Sequence, residues 1–163
     1  MLTALGVLLP VLFHSFGIAG NIFLPMHIPV LLCGFLCGWK YGGLSGISVL
    51  LLSSLFTGKP PIYPVGIGMM LELAAYGIAA ALLIKVLPDV LALLGAMLVG
   101  RAVLGIANAV VFGFAGNPYS FKMFWAAAFA TPWPGIIIQL VLIPAVLLAL
   151  KKLSSPQYIS AKS

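Results

Sequence analysis

The chain has 163 residues, 63% of them hydrophobic and only 6% charged, with a formal net charge of +6. A soluble domain carries about 25% charged residues, so this composition excludes a water-solvated globule and leaves lipid as the solvent. The apolar stretches run continuously instead of alternating with period two, which excludes a β-barrel and selects transmembrane helices.

The first span covers Leu2 to Phe16, with Pro10 inside it. No basic residue precedes it and further spans follow, so it reads as a membrane helix and not as a cleaved signal. Gly17 to Met26 is the first connection, and span 2 runs from His27 to Gly38. Trp39-Lys40-Tyr41-Gly42-Gly43 reads as an interfacial turn, with aromatic anchors beside a lysine. Span 3 is Leu44 to Phe56, closed by the breaker cluster Thr57 to Pro64. One long helix through spans 2 and 3 is the competing reading, but it carries Lys40 to mid-membrane at about 2.5–3.5 kcal/mol. Span 4 is Val65 to Ile84, span 5 Val90 to Gly113 and span 6 Trp133 to Leu150. Between the last two lies a longer connection, Phe114 to Pro132, with an aromatic-rich piece from Phe121 to Phe129.

The expectation is therefore an all-α membrane protein: a compact bundle of six transmembrane helices in one domain, residues 1–152, with a polar tail over 153–163. Lys40, Lys85, Lys151, Lys152 and Lys162 share one side, and Lys59 and Lys122 the other. The positive-inside rule then puts both termini in the cytoplasm. Small residues recur at four-residue spacing, as in Gly34 and Gly38, Gly42 and Gly46, Ala96 and Gly100, which suits close helix packing. Cys33 and Cys37 read as small packing residues.

Two ionisable residues fall well inside spans. Glu72 lies about two turns below the outer end of span 4, and Arg101 about three turns into span 5 from the cytoplasmic side. Charges at such depth face a cavity or one another, so the two form a structural ion pair, take part in a solute site, or do both. Arg101 and Asn108 share a helix face with Gly105, as Glu72 does with Tyr76. Gln139 lies about two turns into span 6 from the outside. Glu72, Tyr76, Arg101, Asn108 and Gln139 can converge among spans 4, 5 and 6, as a polar cluster in an apolar bundle does when it binds a small molecule. Asn117, Tyr119, Trp125 and Trp133 flank the outer opening as lid or loop residues, with interface anchoring the plainer role for the tryptophans. His14 and His27 fall near an outer boundary, where a histidine stays wet. No His, Cys and carboxylate cluster has metal-ligand spacing, and no nucleotide-phosphate loop or hydrolase motif occurs. No metal, cofactor, nucleic-acid partner or catalytic group is expected, and any uptake draws its energy from a partner. A structural or assembly subunit of another membrane complex is the alternative.

Several segments, in order along nearly the whole chain, resemble the substrate-binding S components of energy-coupling factor (ECF) transporters. They are Phe23-Leu24-Pro25-Met26-His27-Ile28-Pro29-Val30-Leu31-Leu32-Cys33-Gly34, Gly38-Trp39-Lys40-Tyr41-Gly42, Leu55-Phe56-Thr57-Gly58-Lys59-Pro60-Pro61, Glu72-Leu73-Ala74-Ala75-Tyr76-Gly77 and Gly100-Arg101. The resemblance implies a six-helix subunit of the bacterial cytoplasmic membrane that captures a vitamin or related micronutrient at its outer face, on helices 4 to 6 and covering loops. It implies as partners a membrane-coupling T component and two cytosolic ATPases, whose ATP hydrolysis topples the subunit to release solute inside. The family often docks the T component on an Ala-x-x-x-Ala face of helix 1. Here Ala4 fits the second alanine, the first would precede Met1, and position eight is Leu8.

Overall fold

The computed structural model describes residues 2–15, 26–58, 60–114, 116 and 119–153. All regular structure among them is helical. In chain order the elements are α1 (Leu2–Ser15), α2 (His27–Cys37), α3 (Trp39–Thr57), α4 (Ile67–Leu83), α5 (Asp89–Phe114), α6 (Phe121–Trp125) and α7 (Trp133–Leu153). A kinked segment, Ile62–Gly66, with Tyr63 extended at φ −120° and ψ 138°, leads into α4, and a π-helical turn, Ala126–Ala130, continues α6. Three segments, Ile62–Leu83, Asp89–Phe114 and Trp133–Leu150, are long and apolar enough to cross a membrane. α2 is apolar but has only 11 residues.

Two connections differ from expectation. The turn expected over Trp39–Gly43 is compressed into one residue. The chain reverses at Gly38, φ 90°, a backbone conformation open to a residue without Cβ, and α3 already begins at Trp39. No continuous helix joins α2 to α3, and Lys40 stands exposed in the first turn of α3 with its Nζ 5.6 Å from the Trp39 ring centroid. The second difference is the stretch between α5 and α7, which is largely helical instead of a plain loop. Ser120 caps α6 by accepting a hydrogen bond from the Met123 N–H at 3.3 Å, satisfying a donor that the helix start would otherwise leave free.

α2 is the centre of the molecule. Its residues from Pro29 to Phe35 are all buried, as in a helix that is apolar on every side. Lipid supplies no hydrophobic drive between helices, so association depends on close packing. That packing is tightest where Gly34 of α2, Gly42 of α3 and Gly77 of α4 meet. A Cβ on Gly34 would collide with the Gly77 carbonyl oxygen, and a Cβ on Gly42 would lie 2.8 Å from the Gly34 Cα. Farther along α3, a Cβ on Gly46 would lie 2.6 Å from the Ala74 nitrogen. By contrast α7 touches the bundle along a single stripe, Gln139, Ile143 and Leu147, each fully buried.

Backbone atoms cannot rotate aside as a side chain can. Gly77→Val should therefore destabilise the fold by about 1–3 kcal/mol, the usual range for overpacking. Gly113→Ala, where an added Cβ meets nothing within 4 Å, should leave stability unchanged or raised. Thermal unfolding of both variants in the same detergent checks the contrast.

Candidate functional site

Three short distances along three helices bring the polar side chains to one height. His27 lies about 16 Å along α2 from the Gly38 turn, Glu72 about 16 Å before the end of α4, and Arg101 about 18 Å into α5, at 1.5 Å per residue. α4 and α5 are joined by a short turn, so Glu72 and Arg101 face one another across antiparallel neighbours. Glu72 Oε1 lies 2.8 Å from Arg101 Nη1. This is a charge contact without the alignment of a hydrogen bond, since Oε1 accepts none within the protein. The other oxygen, Oε2, lies 3.8 Å from His27 Nε2. The Tyr76 ring, one helical turn from Glu72, packs edge-on to His27 with centroids 5.3 Å apart, and the Arg101 guanidinium carbon lies 6.0 Å from its centroid.

Glycines make the room for these groups. A Cβ at Gly100 would come within 2.8 Å of the Tyr76 ring. One at Gly68 would collide with Asn108 Oδ1, and one at Gly105 would come within 2.7 Å of the Phe124 ring of α6. Asn108 forms an outer tier one and a half to two turns beyond Arg101 on α5. Its Nδ2 donates to the Tyr119 hydroxyl at 3.4 Å, and Tyr119 stacks on Phe112.

The sequence reading gathers Glu72, Tyr76, Arg101, Asn108 and Gln139, and all five are buried. The histidine it leaves at a wet boundary belongs with them. His27 is 1% exposed, enclosed beside Glu72 and Tyr76 of α4. A span of 11 residues reaches about 16 Å, roughly half the hydrocarbon thickness. The shortness of the run from His27 to Gly38 was the signal available in the sequence. Of the outer residues, Tyr119 touches the cluster. Trp125 and Trp133 are 55% and 60% exposed, and Trp125 packs on Phe129. Asn117 lies outside the described residues. Ala4 is exposed on α1. Cys33 is buried, as a packing residue is, but Cys37 is exposed.

Buried polar groups ordinarily find hydrogen-bond partners. Among the described residues, the buried side-chain atoms that find none within the protein all belong to six residues: His27 Nδ1 and Nε2, Glu72 Oε1, the Tyr76 hydroxyl, Arg101 Nε and Nη2, Asn108 Oδ1, and both polar atoms of Gln139. They are spread over α2, α4, α5 and α7. No group of three or more His, Cys, Asp or Glu that could hold a metal ion occurs among the described residues.

A family model described as ECF transporter, substrate-specific component, matches residues 1–147. The chain belongs to that family. No curated protein and no solved structure matches it. An ECF substrate-specific component is a multi-pass membrane transport subunit and not an enzyme; membership implies a small-molecule substrate and association with a T component and ATPases.

Removing one partner of a buried pair leaves the other charge uncompensated, at about 3–5 kcal/mol. Arg101→Ala should lose that much stability, and the double change with Glu72→Ala should recover most of it. Unfolding temperatures of the two variants and the parent in one lipid nanodisc provide the measurement.

Proposed function

We propose that this S component captures a vitamin-like solute from outside the cell, in a pocket formed by His27, Glu72, Tyr76, Arg101, Asn108 and Gln139. The observation that supports this reading is that, among the described residues, every buried side-chain polar atom without a partner belongs to these six residues. A purely structural ion pair between Glu72 Oε1 and Arg101 Nη1 accounts for Glu72 Oε1 and for nothing else in that set. Tyr119, on the outer side of Asn108, serves as part of a cover, and the helical α6 behind it supports it through Phe124 against Gly105.

In this reading residues 1–152 form one domain of six membrane-crossing helices, with both termini in the cytoplasm of a bacterial cell. The lysine distribution supports that orientation, and the Gly38 turn with exposed Lys40 suits its cytoplasmic side. Import is driven by ATP hydrolysis on two partner ATPases, coupled through the T component. The outward face of α1, with Ala4, Leu5, Leu8 and Leu12 exposed, is available for that component.

Asn108→Ala and Gln139→Ala remove neutral groups and leave no charge stranded. Each should cost about 0.5–1.5 kcal/mol of binding, a several-fold rise in Kd, with the unfolding temperature little changed. Isothermal titration of the solute that co-purifies with the chain checks this, and unaltered binding in both variants counts against the pocket.

Orientation has its own test. In a background freed of Cys33 and Cys37, a membrane-impermeant thiol reagent applied to intact cells should label a cysteine placed at Gly116. It should miss one placed at Ser160. Labelling of both from outside would contradict cytoplasmic termini.

A further inference from the structure

Arg101 meets its one carboxylate neighbour through only one of its nitrogens. Glu72 meets Nη1, while Nε and Nη2 are buried and have no partner within the protein. Those two nitrogens share one edge of the guanidinium plane, and their N–H bonds run parallel. That edge is the fork that receives the two oxygens of a carboxylate side by side. We propose, on the reading of this cluster as the solute pocket, that the solute is a carboxylate and docks its two oxygens on the Nε–Nη2 edge of Arg101.

The arrangement separates two roles. Glu72 is a positioning residue: it holds Nη1, and so sets the direction in which the opposite edge faces. The fork itself touches the solute. A single hydrogen-bond acceptor on the solute would satisfy one of the two nitrogens and leave the other buried and unpaired, which is costly. A planar pair of oxygens satisfies both at once.

A carboxylate here brings a second negative charge beside one arginine, and two features of the site help to accommodate it. His27 faces Glu72 and Tyr76 from α4 and Arg101 from α5. Its imidazole can offer an N–H donor to the added carboxylate. It is also the first residue of α2, whose N-cap, Met26, makes no side-chain hydrogen bond. The N-terminal end of a helix carries roughly half a positive charge, and here that end lies within the cluster.

The remaining groups suit the rest of such a molecule. Gln139 offers one acceptor and two donors, Asn108 Oδ1 one acceptor and the Tyr76 hydroxyl either. A solute with an acid at one end and a neutral polar body at the other matches the fork and the outer tier together. Asn108 lies seven residues beyond Arg101 on α5, about 10 Å along the axis, which sets the length between the two ends.

The test titrates the full chain in lipid nanodiscs with matched pairs, each an acid and its uncharged counterpart: nicotinate and nicotinamide, biotin and biotinamide, pantothenate and panthenol. The expected result is that at least one acid binds about tenfold or more tightly than its counterpart. Arg101→Lys, which keeps a positive charge beside Glu72 but loses the fork, should weaken that acid by about ten- to a hundredfold and narrow the gap between the pair. Its unfolding temperature shows that the fold is kept. A counterpart that binds as well as its acid overturns the proposal, and so does a panel in which no acid binds. The variants Asn108→Ala and Gln139→Ala tell the two failures apart. If an uncharged probe binds and weakens in these variants, the pocket stands and only the carboxylate is wrong. If a probe binds and responds to neither variant, the pocket is wrong as well.

Discussion

Where Gly34, Gly42 and Gly77 meet, three helices touch with no side chain between them. Lipid tails are as apolar as the helices they surround, so burial against a neighbour gains little over burial against lipid. Contact distance becomes the variable that decides association, and glycine gives the shortest. This contact fixes α2 against α3 and α4, about two turns from the polar cluster. With α2 held there, His27 has one place to be. The glycines at 68, 100 and 105 then do something different on the other side of α4 and α5: they admit Asn108, Tyr76 and Phe124 into spaces that a methyl group would fill.

The ion pair beside this framework is only partly self-sufficient. A buried pair in a low-dielectric interior needs its remaining donors and acceptors met before it stabilises anything. Glu72 and Arg101 meet each other through one oxygen and one nitrogen, and the groups around them leave more polar atoms unmet than the pair itself uses. A helix bundle selected only for stability would have apolar residues at Gln139 and His27, both fully enclosed. Keeping polar groups there costs stability.

Much of the fold could be read from the sequence because membrane helices announce themselves by continuous apolarity, and the start of α7 at Trp133 and the breaks at Gly58 and Pro88 follow directly. The polar cluster was legible for a related reason: in a chain with only two acidic residues, Glu72 stands out, and helical spacing carries Tyr76 and Asn108 with their neighbours. What was not legible was the burial of His27. His27 begins its apolar run, and a run is naturally taken to start at the membrane surface. Only the single-residue turn at Gly38 shows that α2 covers half the distance. α6 was hidden because its cap, Ser120, precedes just five α-helical residues, too few for a periodic pattern. The tryptophans read as interface anchors or lid residues, and Trp125 and Trp133 are both exposed.

An 11-residue helix is only about half as long as a bilayer's hydrocarbon is thick, which has consequences for how the chain enters the membrane. α2 alone would present the unpaired N–H groups of its first turn to hydrocarbon, at several kcal/mol for each group. It has no independent stable state there, whatever its apolarity. The start of α2 finds polar company in Glu72 of α4, which in turn meets Arg101 of α5, so this one short element depends on helices made later in the chain.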